Sequence, residues 1–360
     1  MTTPNIPSCC SHYTCSIYVA AEKGHTKCIE LLLAAGGNVN KCGIFDASPI
    51  FIATQNRNVV CLKLLLDAKG DINKCDNLYG HSPISIAAEN GHAECLKLLL
   101  DAGGNINKCN NLTCLSPIYI AAVNGRAKCL KLLLDAGGDV NKCSINYVSP
   151  INIAASKGHV DCLKLLLDAG GDVNKCNNDG VSPINSAAFN GHTECLKLLL
   201  AAGGDVNKCK NNGVSPISIA TENGHTECLK LLLAAGGDFN KCNNGGCSPI
   251  YVAAFYNKPE CLRLLLDAGG DVNKCLNDGR SPIYVATFNK RFTIMKMLLD
   301  TNRVETNTMF SPWSIACQSC QLILKEYGEA PTDSEGEANT ESEADTDSEG
   351  EADTDSELDS

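Results

Sequence analysis

Ser-Pro pairs recur regularly at Ser48, Ser82, Ser116, Ser149, Ser182, Ser215, Ser248 and Ser281, at steps of 34, 34 and then 33 residues, with a further pair at Ser311. Around each of the regular pairs lies nearly the same segment, of which NNDGVSPINSAAFNGHTECLKLLLAAGGDVNKC at residues 177–209 is representative. A fixed period of this size means stacked supersecondary units rather than one globular core. The question of function therefore moves from reaction chemistry to surfaces.

Each unit reads as two helices and a turn. Ser182 caps a first helix that opens on Pro183, where a missing N–H costs nothing. That helix is short, and its Ala187 and Ala188 let a neighbouring backbone approach closely. Gly191 stops it, since glycine accepts the left-handed conformation of a helix C-cap. In the second helix, TECLKLLLAA, Cys195, Leu196, Leu198, Leu199 and Leu200 form a wide apolar face while Glu194 and Lys197 stay polar. Gly203 and Gly204 end it, and the Asn-, Asp- and Gly-rich DVNKCNNDG reads as a β-turn or hairpin tip. One unit cannot bury its own leucines, but stacked units cover one another.

These residues resemble the ankyrin repeat family, whose pattern runs Gly-x-Thr-Pro-Leu-His-x-Ala-Ala, Gly-His, Leu-Leu-Leu, Gly-Ala-Asp-Val-Asn. Here it reads Gly180 to Ala188, Gly191-His192, Leu198 to Leu200, and Gly203-Gly204-Asp205-Val206-Asn207. Ser replaces the family's Thr, Gly its Ala, and the usual His after Pro-Leu is absent throughout. About nine units cover residues 10–308. The resemblance implies an all-α solenoid of paired antiparallel helices with β-turn or hairpin tips. It also implies protein binding on a concave face made by the tips and the first helices.

The ends differ. A lead of residues 1–9 precedes an atypical first unit, in which Ser16 stands where proline is expected. Residues 309–328 read as a truncated C-terminal capping unit, with Trp313 packed where other units have Ile. From Glu329 to Ser360 the chain carries fourteen acids, no Lys or Arg and no aromatic, a composition that predicts a disordered tail. Thr332, Ser334, Thr346, Ser348, Thr354 and Ser356 each have acids downstream, as the sites of acidophilic casein-kinase-2-like kinases do, and are phosphorylation candidates.

The tail also explains the net charge of −11: the other 27 acids face 30 Lys and Arg, so the array itself is near +3. That leaves no broad basic stripe, and nucleic acid is not an expected partner. No apolar run approaches the roughly 18 residues of a membrane helix, and the N-terminus lacks the pattern of a secretory signal. The expectation is a monomer in the cytoplasm or also the nucleus.

Cysteine is unusually frequent, at 23 residues, and sixteen fall in two rows. Cys28, Cys61, Cys95, Cys129, Cys162, Cys195, Cys228 and Cys261 lie in the second helices; Cys42, Cys75, Cys109, Cys143, Cys176, Cys209, Cys242 and Cys275 follow Asn-Lys at the turns. By the resemblance, equivalent residues of adjacent units lie about 10 Å apart, too far for disulfides, which need Cα atoms within about 7 Å. Reduced thiols are expected, with the helix row acting as small hydrophobes. No unit holds a Cys-x-x-Cys pair, and Cys317-x-x-Cys320 is only half a zinc site. No metal or cofactor is expected.

Catalytic motifs are missing as well: there is no GxxxxGK[ST], HExxH or GxSxG. The glycine pairs follow helices, the reverse of a phosphate loop. His25, His92, His159, His192 and His225 all sit in Gly-His pairs of the inter-helix loop. Aromatic residues at variable positions are better candidates, as interface anchors. They are Tyr147 at a tip, Phe189, Tyr251, Phe255, Tyr256, Tyr284 and Phe288 in or just after first helices, and Arg280 beside them. Tyr79 and Leu112 add to the tips of the two longer repeats. The expected function is a non-enzymatic scaffold for one or more proteins. The alternatives are an adaptor or regulatory subunit of an enzyme complex for ubiquitin transfer or kinase control, and a scaffold made redox-responsive by the turn cysteines.

Overall fold

The computed structural model describes residues 16–305 and 318–326. In the representative unit the inner helix spans Pro183–Asn190 and the outer helix Thr193–Ala201. Helices this short are marginal in isolation, so capping and packing must hold them. Ser182 Oγ accepts the Asn185 N–H at 3.2 Å, and among the described residues the serine of each Ser-Pro pair from Ser48 to Ser281 caps its helix in the same way. Inner helices pack on inner helices and outer on outer, the inner row more closely. The paired alanines make that close approach possible: Ala187 and Ala188 are fully buried. On the outer helix Cys195, Leu196 and Leu199 are fully buried, whereas Leu198 and Leu200 are only partly covered. The apolar face is thus narrower than the leucine run suggests. No strand occurs among the described residues. The tips are single turns, closed by bonds such as Asn177 N–H to Val181 C=O at 3.1 Å.

Side-chain ladders tie each unit to the next. Asn207 Oδ1 accepts the backbone N–H of Asp238 at 2.8 Å. The equivalent bond recurs from Asn40–Asp71 through to Asn273–Glu305. Each is worth roughly 0.5–1.5 kcal/mol net, and the row explains why Val-Asn or Ile-Asn returns in nearly every unit. A second ladder uses the residue before six of the outer helices, from Asn58 to His225. The ring N–H of His192 donates to Ser156 C=O at 3.0 Å and that of His225 to Phe189 C=O at 3.0 Å. Arg126 Nε and Asn58 Nδ2 make the same reach to Glu89 and Ala21 carbonyls at 2.9 and 2.7 Å.

The glycine before that histidine is required twice. Gly191 has φ +71°, and a Cβ there would stand 2.6 Å from the His225 ring. Arg57, Asn257 and Lys290 hold the same left-handed step at φ 57°, 54° and 53°, where an L-residue costs roughly 1–2 kcal/mol. Lys290→Gly is therefore expected to stabilise the array by about 0.5–1 kcal/mol, after allowing for glycine's greater entropy loss. A higher urea midpoint with unchanged slope would show it; a lower one would mean that the Lys290 side chain outweighs the strain.

The two ends differ physically. In the first unit Cys28 is exposed and Leu31 is 71 % exposed, because no earlier described unit covers them. This corrects the expectation of a wholly buried helix row. At the other end the helix Gln318–Glu326 packs on the last outer helix, Phe292–Leu299, and buries Cys320 and Leu324. Trp313, the lead and the acidic tail with its phosphorylation candidates lie outside the described residues.

Candidate partner-binding face

Two regions of the inner-helix and tip surface carry exposed apolar side chains. The first lies in the C-terminal third. Phe255, Tyr256 and Phe288 end the inner helices of successive units and are 47, 46 and 64 % exposed. The Phe255 and Tyr256 rings meet edge to face at 5.0 Å, and Tyr284 stacks on Phe288 at 6.3 Å. Phe255, Arg280, Tyr284 and Phe288 together line a small cleft of about 100 Å³. Arg280 is held by Asp278 at 2.6 Å in an exposed pair, which adds little stability but fixes the guanidinium at the cleft edge.

Not every candidate reaches this surface. Tyr251 is 4 % exposed and burial pushes its phenol up. It is a packing residue, not an accessible anchor. The reason is positional: the side chain after Ser-Pro-Ile points at the next unit, as Asn152 shows by donating to Val181 C=O at 2.8 Å. Tyr284 occupies this position in the last full unit and is only half-buried. Phe189 is exposed but lies two units earlier, and Tyr147 is exposed on a tip at φ 60°.

Of the second region the sequence marked only Tyr79, Leu112 and Tyr147. Tips of the early units expose Ile44, Phe45, Leu78, Tyr79, Leu112, Ile145 and Tyr147. The late tips present Asn211, Asn244 and Asn277, whose amides bond from tip to tip. The early apolar tips border a cleft of about 580 Å³ lined by Tyr18, Phe45, Phe51, Tyr79 and Glu89. Its signal was present in GIFDA and DNLYGH, but only the fold brings those two turns alongside Tyr18 and Glu89.

The turn cysteines are structural. Each is half-buried, and its S–H donates to the carbonyl of the ladder asparagine two residues earlier, at 3.2–3.6 Å. Burial pushes each of these thiols up. A reactive thiol needs the opposite shift, so the redox reading has no support here. Among the described residues no group of three or more His, Cys, Asp or Glu could hold a metal ion, and no helix is long and apolar enough to cross a membrane.

These features define a solenoid of helix-pair repeats whose variable surface is made of tips and inner-helix ends. A family model described as ankyrin repeats (3 copies) matches residues 17–110, 118–210, 151–241, 187–275 and 217–309. The chain belongs to the ankyrin repeat family. Among solved structures it is similar to the human ASB11 ankyrin repeat domain, with 29% identity and a TM-score of 0.54, over 61% of this chain and 100% of that one. No curated protein matches it. Ankyrin repeats are in general protein-interaction modules, and that coarse function follows from family membership.

Proposed function

We propose that the array is a non-enzymatic scaffold that binds a partner protein through the aromatic surface of its last units. The observation that carries this reading is the cluster of Phe255, Tyr256 and Phe288, each about half exposed at positions where the units differ. The outer helices of the central units are more alike, as TECLKLLLA repeated at 193–201 and 226–234 shows. Large, rigid aromatic side chains give contact area at low entropy cost, which makes them frequent anchors. The outer face offers paired charges instead, such as Lys197–Glu194 and Lys230–Glu227, both at 2.6 Å and solvated.

The test is affinity capture with the full chain, followed by titration of the purified captured protein. Phe255→Ala, Tyr256→Ala and Phe288→Ala should each weaken binding by about 1–2 kcal/mol, or roughly 5- to 30-fold. Unchanged affinity with retained helicity in all three would place the interface elsewhere.

A further inference from the structure

The large cleft in the first units has a chemistry of its own, independent of the C-terminal aromatic surface. Its walls are aromatic: Tyr18 and Phe51 are nearly buried, while Phe45 and Tyr79 stand open at the rim. Its polar lining is Gln55, Asn90, His81 and two carboxylates. Glu89 Oε2 pairs with His81 Nδ1 at 3.3 Å, and this contact holds the carboxyl below the usual carboxylate range. Glu89 Oε1 has no partner among the described residues. Asp76 is 6 % exposed, and its Oδ1 accepts the N–H groups of Tyr79 and Gly80 at 2.7 and 3.0 Å. That carboxylate shapes the turn that presents Leu78 and Tyr79. Tyr79 in turn lies over His81, ring centroids 5.8 Å apart. No Lys or Arg lines the cleft among the described residues. Arg126 donates to the carbonyl of Glu89, not to its carboxylate.

Two carboxylates against one histidine, inside aromatic walls, suit a cation that tolerates partial desolvation. We infer that this cleft receives an arginine side chain of a partner protein, its guanidinium stacked on the aromatic faces and bonded to Glu89. Arginine fits better than lysine because it is planar, weakly hydrated and stacks on aromatic rings. A cavity of about 580 Å³ exceeds one side chain, so the exposed Ile44 and Leu78 on its rim would carry apolar neighbours of that arginine.

Saturation-transfer NMR with the full chain and N-acetyl-arginine amide tests the inference without knowledge of the partner. Saturable binding at about millimolar affinity is expected for so small a probe. N-acetyl-citrulline amide, which keeps the shape and loses the charge, should bind about tenfold more weakly. Glu89→Gln should weaken the arginine probe about fivefold. Tyr79→Leu, which keeps apolar bulk on an exposed turn but removes the π face, should weaken it as well. Phe288→Ala should leave it unchanged, which separates this site from the C-terminal surface. Equal binding of citrulline, equal binding of N-acetyl-lysine amide, no saturable binding, or an unaltered affinity in a folded Glu89→Gln chain would each overturn the assignment.

Discussion

Leu199→Ala will destabilise the array by roughly 2–5 kcal/mol, the range for a fully buried leucine whose removal leaves a cavity. Leu199 has no exposed surface and lies in an outer helix that packs on those of the units before and after it. The effect should be more than a lower midpoint. Stability in a solenoid is close to a sum of repeat and interface terms, so a weak central unit uncouples the two halves. Urea unfolding should become broader or split into two steps. A comparable change at the edge, Leu298→Ala in the last outer helix, should fray that end and leave the main transition sharp. A single sharp transition for Leu199→Ala with under about 1 kcal/mol lost would mean that the stack relaxes around the gap.

Alkaline pH should unfold this protein more readily than its family fold alone suggests. Burial pushes Cys95, Cys129, Cys162, Cys195 and Cys261 up to about 11, from an ordinary value of 9.0. The folded state therefore favours the neutral thiol. The associated stabilisation is complete below pH 9 and is lost as pH rises through 11, in the window those two values define. Each such thiol accounts for on the order of 2 kcal/mol at the far side of that window. The urea midpoint should fall steeply between pH 9 and pH 11, and less so once several helix-row cysteines are replaced by valine. At pH 8 iodoacetamide should mark the exposed Cys28 and Cys114 first and the helix row from Cys61 to Cys261 only after unfolding. Alkylation of Cys195 in the native chain at the unfolded rate would contradict the burial.

Much of this architecture was open to reading residue by residue. Ser182, Pro183 and Gly191 announce the limits of the inner helix because capping and left-handed backbone are local properties. The Leu run and paired Ala announce packing because one unit has nowhere else to bury them. What stayed hidden depends on the neighbouring unit. His192 and Arg126 differ in chemistry yet perform the same bond to the preceding carbonyl, which no motif reveals. Tyr251 and Tyr284 share a sequence position, but the first is buried and the second half-open. Cys28 and Cys195 share another and differ in the same way.

The sequence by itself determined the repeat, the helix limits, the solenoid class and the family, since each follows from a period and from contacts within one unit. The tertiary structure alone decided which aromatic side chains face outward and where clefts form. It placed Phe255 beside Arg280, Tyr284 and Phe288, and joined Tyr18, Tyr79 and Glu89 across three units. The physical reason is the offset between stacked units. A side chain's exposure is set by what the next unit lays over it, and the period states that a next unit exists without stating how it is registered.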